Sequence, residues 1–164
     1  SYGISFAATA LVGQAVGAGN REDARAYGTL AARLGFGICI ATALVLGFGA
    51  LPLAGLFSPD GAVVAETARA LRIVAVCEPF FTLSIVYAGA LRGANDVRWP
   101  MLISLGTNWV IRIPLAFLFV LGLDWGLAGA WAAMTVELTF RGLFCLIRWK
   151  RGRWLALSGL KERP

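Results

Sequence analysis

Four ionisable residues stand where long apolar runs leave them no obvious solvent: Glu78, Arg112, Glu137 and Arg141. A charge at the centre of a membrane helix costs about 2.5–3.5 kcal/mol on insertion scales. Such residues must therefore face a bundle interior or a wet cavity. Glu137 and Arg141 are spaced i,i+4, so they share a helix face and can pair. Ser104, Asn108 and Arg112 repeat the same spacing. A stripe of three polar side chains lines a cavity or bridges to a neighbouring helix. Glu78 precedes Pro79, whose missing N–H leaves the Ala75 carbonyl without its helical donor. An acid beside a helix break suits a proton or cation site, with a sodium ion one occupant of the space near Glu78. Desolvation favours its neutral form and a nearby arginine favours the carboxylate, so such a group can load and unload a cation. The other reading makes Glu78 a structural counter-ion for Arg112 or Arg141.

Other chemistries are absent. Among the 164 residues there is no histidine, so neither a Ser-His-Asp triad nor an imidazole zinc site can form. Lys150 and Lys161 are the only lysines, and neither follows a phosphate-binding glycine loop. Cys39, Cys77 and Cys145 are isolated in apolar runs and read as small buried hydrophobes. No catalytic constellation, cofactor motif or nucleic-acid face emerges.

The elements that carry these groups are membrane elements. The chain is 59% hydrophobic and 15% charged, with a mean hydropathy of +0.74. Soluble domains carry about a quarter charged residues. Five apolar stretches cover approximately 1–19, 27–57, 68–91, 99–121 and 126–149. The last four are long enough for helices of roughly 20 residues to cross about 30 Å of hydrocarbon. The second needs tilt or an irregular end, which Pro52 and Gly55 suggest. Asn20 is placed as an N-cap, and 58–61, 93–96 and 122–126 carry turn residues. Short links make successive helices antiparallel. The fold class is thus all-α and integral to the membrane, an antiparallel bundle of about five transmembrane helices.

Arginine and lysine sort to one side. Arg21, Arg25, Arg92, Arg98, Arg148, Lys150, Arg151 and Arg153 gather at one set of helix ends, and only Arg69 and Arg72 lie near the other. The positive-inside rule makes the first set cytoplasmic. Trp99, Trp125, Trp149 and Trp154 fall near helix ends, as an interfacial belt requires. The chain opens at Ser1 on apolar residues and reads as a piece of something longer.

Three segments then carry a resemblance. Gly89-Ala-Leu91-Arg92-Gly93-Ala-Asn95-Asp96 resembles the "LRGxGD" helix end of the multidrug and toxic compound extrusion (MATE) transporters. Gly13-Gln14-Ala-Val-Gly17-Ala is similar to that family's "GQxxGA" helix end, and Arg112-Ile-Pro114-Leu-Ala to its "RxPLA" segment. They occur in family order and cover essentially the whole chain.

The resemblance implies a twelve-helix fold of two six-helix lobes. Residues 1–149 would be part of the C-terminal lobe and 150–164 a basic cytoplasmic tail, with the N-terminal lobe of the same polypeptide as partner. It implies a multi-pass protein of the plasma (inner) membrane that exports small, cationic amphipathic molecules by antiport with sodium ions or protons. The family needs no cofactor. Many members carry a coupling acid ten residues before the motif leucine, a position held here by Phe81, with Glu78 one turn earlier. A lipid-linked precursor flippase of the same superfamily is an alternative, although that would call for a more basic cavity than Arg112 and Arg141 supply. A non-transporting membrane scaffold is another.

Overall fold

The computed structural model describes residues 1–157; residues 158–164 of the expected tail lie outside the described residues. The described residues form α1 (Tyr2–Gly17), α2 (Arg21–Phe48), α3 (Ala50–Gly55), α4 (Gly61–Gly93), α5 (Arg98–Gly122), α6 (Gly126–Lys150) and the short α7 (Trp154–Leu157). Helices α2, α4, α5 and α6 are long and apolar enough to cross a membrane, and α1 is a shorter apolar helix.

Local chemistry sets the ends. Asn20 caps α2 by accepting from the Glu22 and Asp23 amides at 3.1 Å each, and those acids favour the positive end of the helix dipole. The stretch expected as one helix over 27–57 is two. Proline fits a helix without loss of a backbone hydrogen bond only in its first turn. The chain therefore breaks at Gly49 and restarts, so that Pro52 falls in the first turn of α3. The third helix begins earlier than the expected residue 68, because Asp60 caps it through the Ala62 amide at 2.9 Å.

Helix α4 is the centre of the bundle, packed against α1, α2, α3 and α6. Its contact with α1 uses small residues. A Cβ on Gly93 would run into the Thr9 carbonyl oxygen, and one on Gly89 would lie 2.7 Å from the Ser5 carbonyl oxygen. Gly13 meets the Gly93 backbone from the other side. This closeness lets Ser5 Oγ donate to the Ile85 carbonyl at 2.9 Å and Thr9 Oγ1 to the Gly89 carbonyl at 3.0 Å. In lipid, where apolar contact alone drives little association, close packing and such bonds hold helices together.

The core at this end contains Ala8, Val12, Ala31, Val86, Leu91 and Cys145. Trp149 and Trp154 belong to it as well, which corrects the expected belt. Gly28 leaves a slot for Trp149, whose ring stacks on Trp154 with centroids 4.5 Å apart. Trp99 and Trp125 remain exposed. So do Phe48, Leu56, Phe57, Trp109 and Val110, as befits a surface that meets acyl chains.

Candidate functional site

Two polar clusters flank α4 at similar depth. A rise of 1.5 Å per residue places Glu78 about 22 Å from the Gly93 end of α4, and Glu137 about 20 Å from the Lys150 end of α6.

The first cluster lies between α4, α2 and the start of α1. Glu78 Oε2 accepts from the Cys39 thiol at 3.9 Å. Cys39 Sγ lies 2.7 Å from Thr82 Oγ1, which lies 2.8 Å from Ser1 Oγ. Thr82 is one helical turn beyond Glu78, so both project to one face. Pro79 sits inside the helix between them. Among the described residues Glu78 has no ion-pair partner and meets neither Arg112 nor Arg141. Phe81 packs edge-on against Tyr2 at 6.2 Å, outside this cluster. Thr82 and Cys39 are absent from the sequence-based site. A hydroxyl one turn from the acid was the available signal for Thr82; nothing local marks Cys39.

The second cluster joins α5 to α6. Glu137 is 1% exposed, and its Oε1 accepts from Thr107 Oγ1 at 2.8 Å. Arg141 Nε lies 3.5 Å from the same oxygen, and Arg141 Nη1 donates to Ser104 Oγ at 3.1 Å. The i,i+4 pair is therefore local and also anchored to a neighbouring helix. Thr107 is the member that sequence reasoning missed.

Asn108 and Arg112 do not join Ser104. Both are exposed. Asn108–Arg112 is a π-turn, closed by the Ile113 amide on the Asn108 carbonyl. Pro114 cannot donate, and its ring crowds the preceding turn, which widens the helix there. A second π-turn spans Leu118–Gly122.

The motif residues occupy defined places. Leu91 is fully buried, whereas Gln14 and Arg92 are exposed. No atom beyond its own helix lies within 4 Å of a Cβ built on Gly17. The two helix ends that carry the motifs close alike. The Asn20 amide bonds the Ala15 carbonyl at 2.9 Å past Gly19 (φ +76°), and the Asp96 amide bonds the Leu91 carbonyl at 2.9 Å past Asn95 (φ +64°). Asp96 is also buried and paired with Arg148 Nε at 2.8 Å, while the Arg148 guanidinium lies 4.7 Å from the Trp99 ring centroid.

Apolar spanning helices around buried polar clusters define a multi-spanning helical membrane protein. Its fold matches a solved structure described as the inward-facing conformation of a multidrug resistance MATE family transporter of the MOP superfamily, with a TM-score of 0.82 and 20% identity, over 96% of this chain and 36% of that one. The MatE family model matches residues 1–118, and the chain belongs to that family. It is 36% identical over 158 residues to the multidrug resistance protein PmpM of Pseudomonas aeruginosa, covering 92% of this chain and 32% of PmpM. It is 29% identical over 154 residues to a protein of Thermotoga maritima named "Probable multidrug resistance protein NorM", covering 94% of this chain and 33% of that protein. The chain thus spans about a third of the length of these relatives.

Proposed function

We propose that this chain is part of a secondary active exporter that expels small organic molecules, cationic and amphipathic in character, in exchange for sodium ions or protons. Two relatives bear multidrug resistance names. The exporter is a multi-pass protein of the plasma (inner) membrane, with the basic helix ends and the C-terminus cytoplasmic. Residues 1–149 act as part of one transmembrane lobe and face a second lobe of the same polypeptide across a substrate cleft. Alternating access requires two such bodies to rock about a shared site.

One observation carries the coupling assignment. Glu78 is an acid without a counter-ion among the described residues, beside the helix break at Pro79, and it meets the Cys39 thiol, which in turn lies against the Thr82 and Ser1 hydroxyls. A bound sodium ion or proton neutralises the carboxylate there, and its release restores the charge. The hydroxyls of Ser1 and Thr82 and the Ala75 carbonyl freed by Pro79 are the oxygen ligands that a hard cation prefers. Glu137, Arg141 and Ser104 hold α5 against α6. Asn108 and Arg112 lie on an exposed face available to the cleft.

Cation-driven efflux from vesicles containing the full-length polypeptide tests the assignment. Glu78→Gln abolishes efflux driven by an imposed sodium or proton gradient, and the gradient that drives the unmodified protein identifies the ion. Undiminished efflux in the variant removes Glu78 from the mechanism.

A further inference from the structure

Helices α2 and α6 each pack on α4 and not closely on one another. Trp149 bridges them at the basic end. Its ring enters the slot left by Gly28 of α2, where a Cβ would fall inside the ring. Its Nε1 donates to Thr29 Oγ1 at 3.4 Å, and the ring meets Tyr87 of α4 with centroids 6.2 Å apart. The chain then turns back on itself. Gly152 takes φ +67°, which a residue with a side chain adopts only at a cost. Trp154 stacks on Trp149 with the ring planes 8° from parallel, and its Nε1 donates to the Trp149 carbonyl at 3.1 Å. Trp154 and Leu155 of α7 are both buried in the core.

A seam starts at this stack. Gly28, Ala32, Gly35 and Cys39 recur every three or four residues, so they share one face of α2, and all are buried. Gly35 lies against Thr82 and Val86 of α4, and Cys39 against Thr82 and Glu78. The seam thus runs from Trp149 to the Glu78 cluster, eleven residues or about 17 Å along α2. Its small residues offer no bulk to exclude water once α2 and α4 part, and its far end is polar. Closure therefore depends on what holds α2 at the mouth. Two stacked indoles supply a rigid key in α2 and an apolar constriction, and such constrictions exclude water by dewetting.

We infer that the Trp149–Trp154 stack, strapped down by the turn at Gly152, is a stopper that keeps water at the basic end out of the α2–α4 seam leading to Glu78. That the seam leads to a coupling group rests on the assignment of Glu78 above; closure of its mouth does not.

Thiol labelling reads the closure without turnover. In the full-length polypeptide, with Cys39, Cys77 and Cys145 replaced by alanine, Ala32→Cys places a thiol in the seam one turn beyond Gly28. Ala133→Cys, also buried and near the other end of α6, is the control. A membrane-impermeant maleimide is applied to inside-out vesicles. Position 32 is unreactive with Trp154 in place. Trp154→Ala raises its labelling rate about tenfold or more, since a buried thiol reacts in proportion to the population of the open form. Trp154→Phe raises it far less, because an aromatic ring still stacks on Trp149, and position 133 stays unreactive throughout. Equal labelling of position 32 with and without Trp154 overturns the inference. A matching rise at position 133 marks general loosening of the bundle and also overturns it. Efflux by Glu78→Gln tests the coupling assignment by itself, so the two can fail separately.

Discussion

Asp96 and Arg148 form a 2.8 Å ion pair that ties the turn after α4 to the last turns of α6. The Asp96 side chain is 1% exposed and that of Arg148 is 11% exposed, so each charge relies on the other for solvation. Removing one partner leaves an uncompensated buried charge, at a cost of about 3–5 kcal/mol. Asp96→Ala is therefore expected to lower stability in detergent by that amount. The double variant with Arg148→Leu should recover a substantial part of it. Equal stability of Asp96→Ala and the parent, followed by thermal unfolding, would show that water reaches the pair.

The α1–α4 contact makes a sharper contrast. Gly93→Ala drives a methyl into the Thr9 backbone, which cannot yield as a flexible side chain could. Overpacking of this kind costs about 1–3 kcal/mol. Gly17→Ala adds a methyl where nothing lies within 4 Å, and is expected to leave stability unchanged. Unfolding midpoints of the two variants, compared side by side, should differ clearly.

Thr107 donates to the buried Glu137 carboxylate, and a bond to a charged acceptor contributes about 1.5–3 kcal/mol. Thr107→Val should destabilise the protein by that amount and Thr107→Ser by little. With Glu137→Gln already present, the cost of Thr107→Val should shrink. A double-mutant cycle measures the difference, and additive effects would break the proposed link between α5 and α6.

Asn95 adopts φ +64°, where asparagine and glycine are tolerated and branched side chains are strained. Asn95→Gly should be neutral or slightly stabilising. Asn95→Val should cost about 1–2 kcal/mol and loosen the turn that holds Asp96. Midpoint measurements that reverse this order would refute the backbone account.

Much of this architecture was legible in the residues. The apolar runs announced the spanning helices, Asn20 announced the start of α2, and the i,i+4 spacing announced the Glu137–Arg141 pair. Ser104 turns to Arg141, whereas Asn108 and Arg112 on the same helix are exposed, and spacing alone does not say which member of a stripe finds a partner. Pro52 marks a disruption in the sequence, and the restart after Gly49 follows from the place proline takes in a first turn. Thr107, Thr82 and Cys39 were missed for a different reason. Each acquires its role from a partner at least 30 positions away, and single-chain spacing contains no record of such partners. Trp149 and Trp154 show the same limit, since the slot at Gly28 that draws Trp149 inward lies more than a hundred residues upstream.

Helix α4 has 33 residues and is therefore about 50 Å long, against about 30 Å of hydrocarbon. Even strongly tilted, it outreaches the lipid, and the surplus includes its first turns, where Glu66 and Arg69 pair at 3.7 Å with both side chains more than half exposed. The rod that carries Glu78 thus ends outside the bilayer as a stub braced on one flank by α3 and open on the flank of Glu66 and Arg69. Ligands or antibodies confined to the aqueous phase can grip that stub, giving a mechanical handle on the pitch of α4 that requires no passage into the membrane.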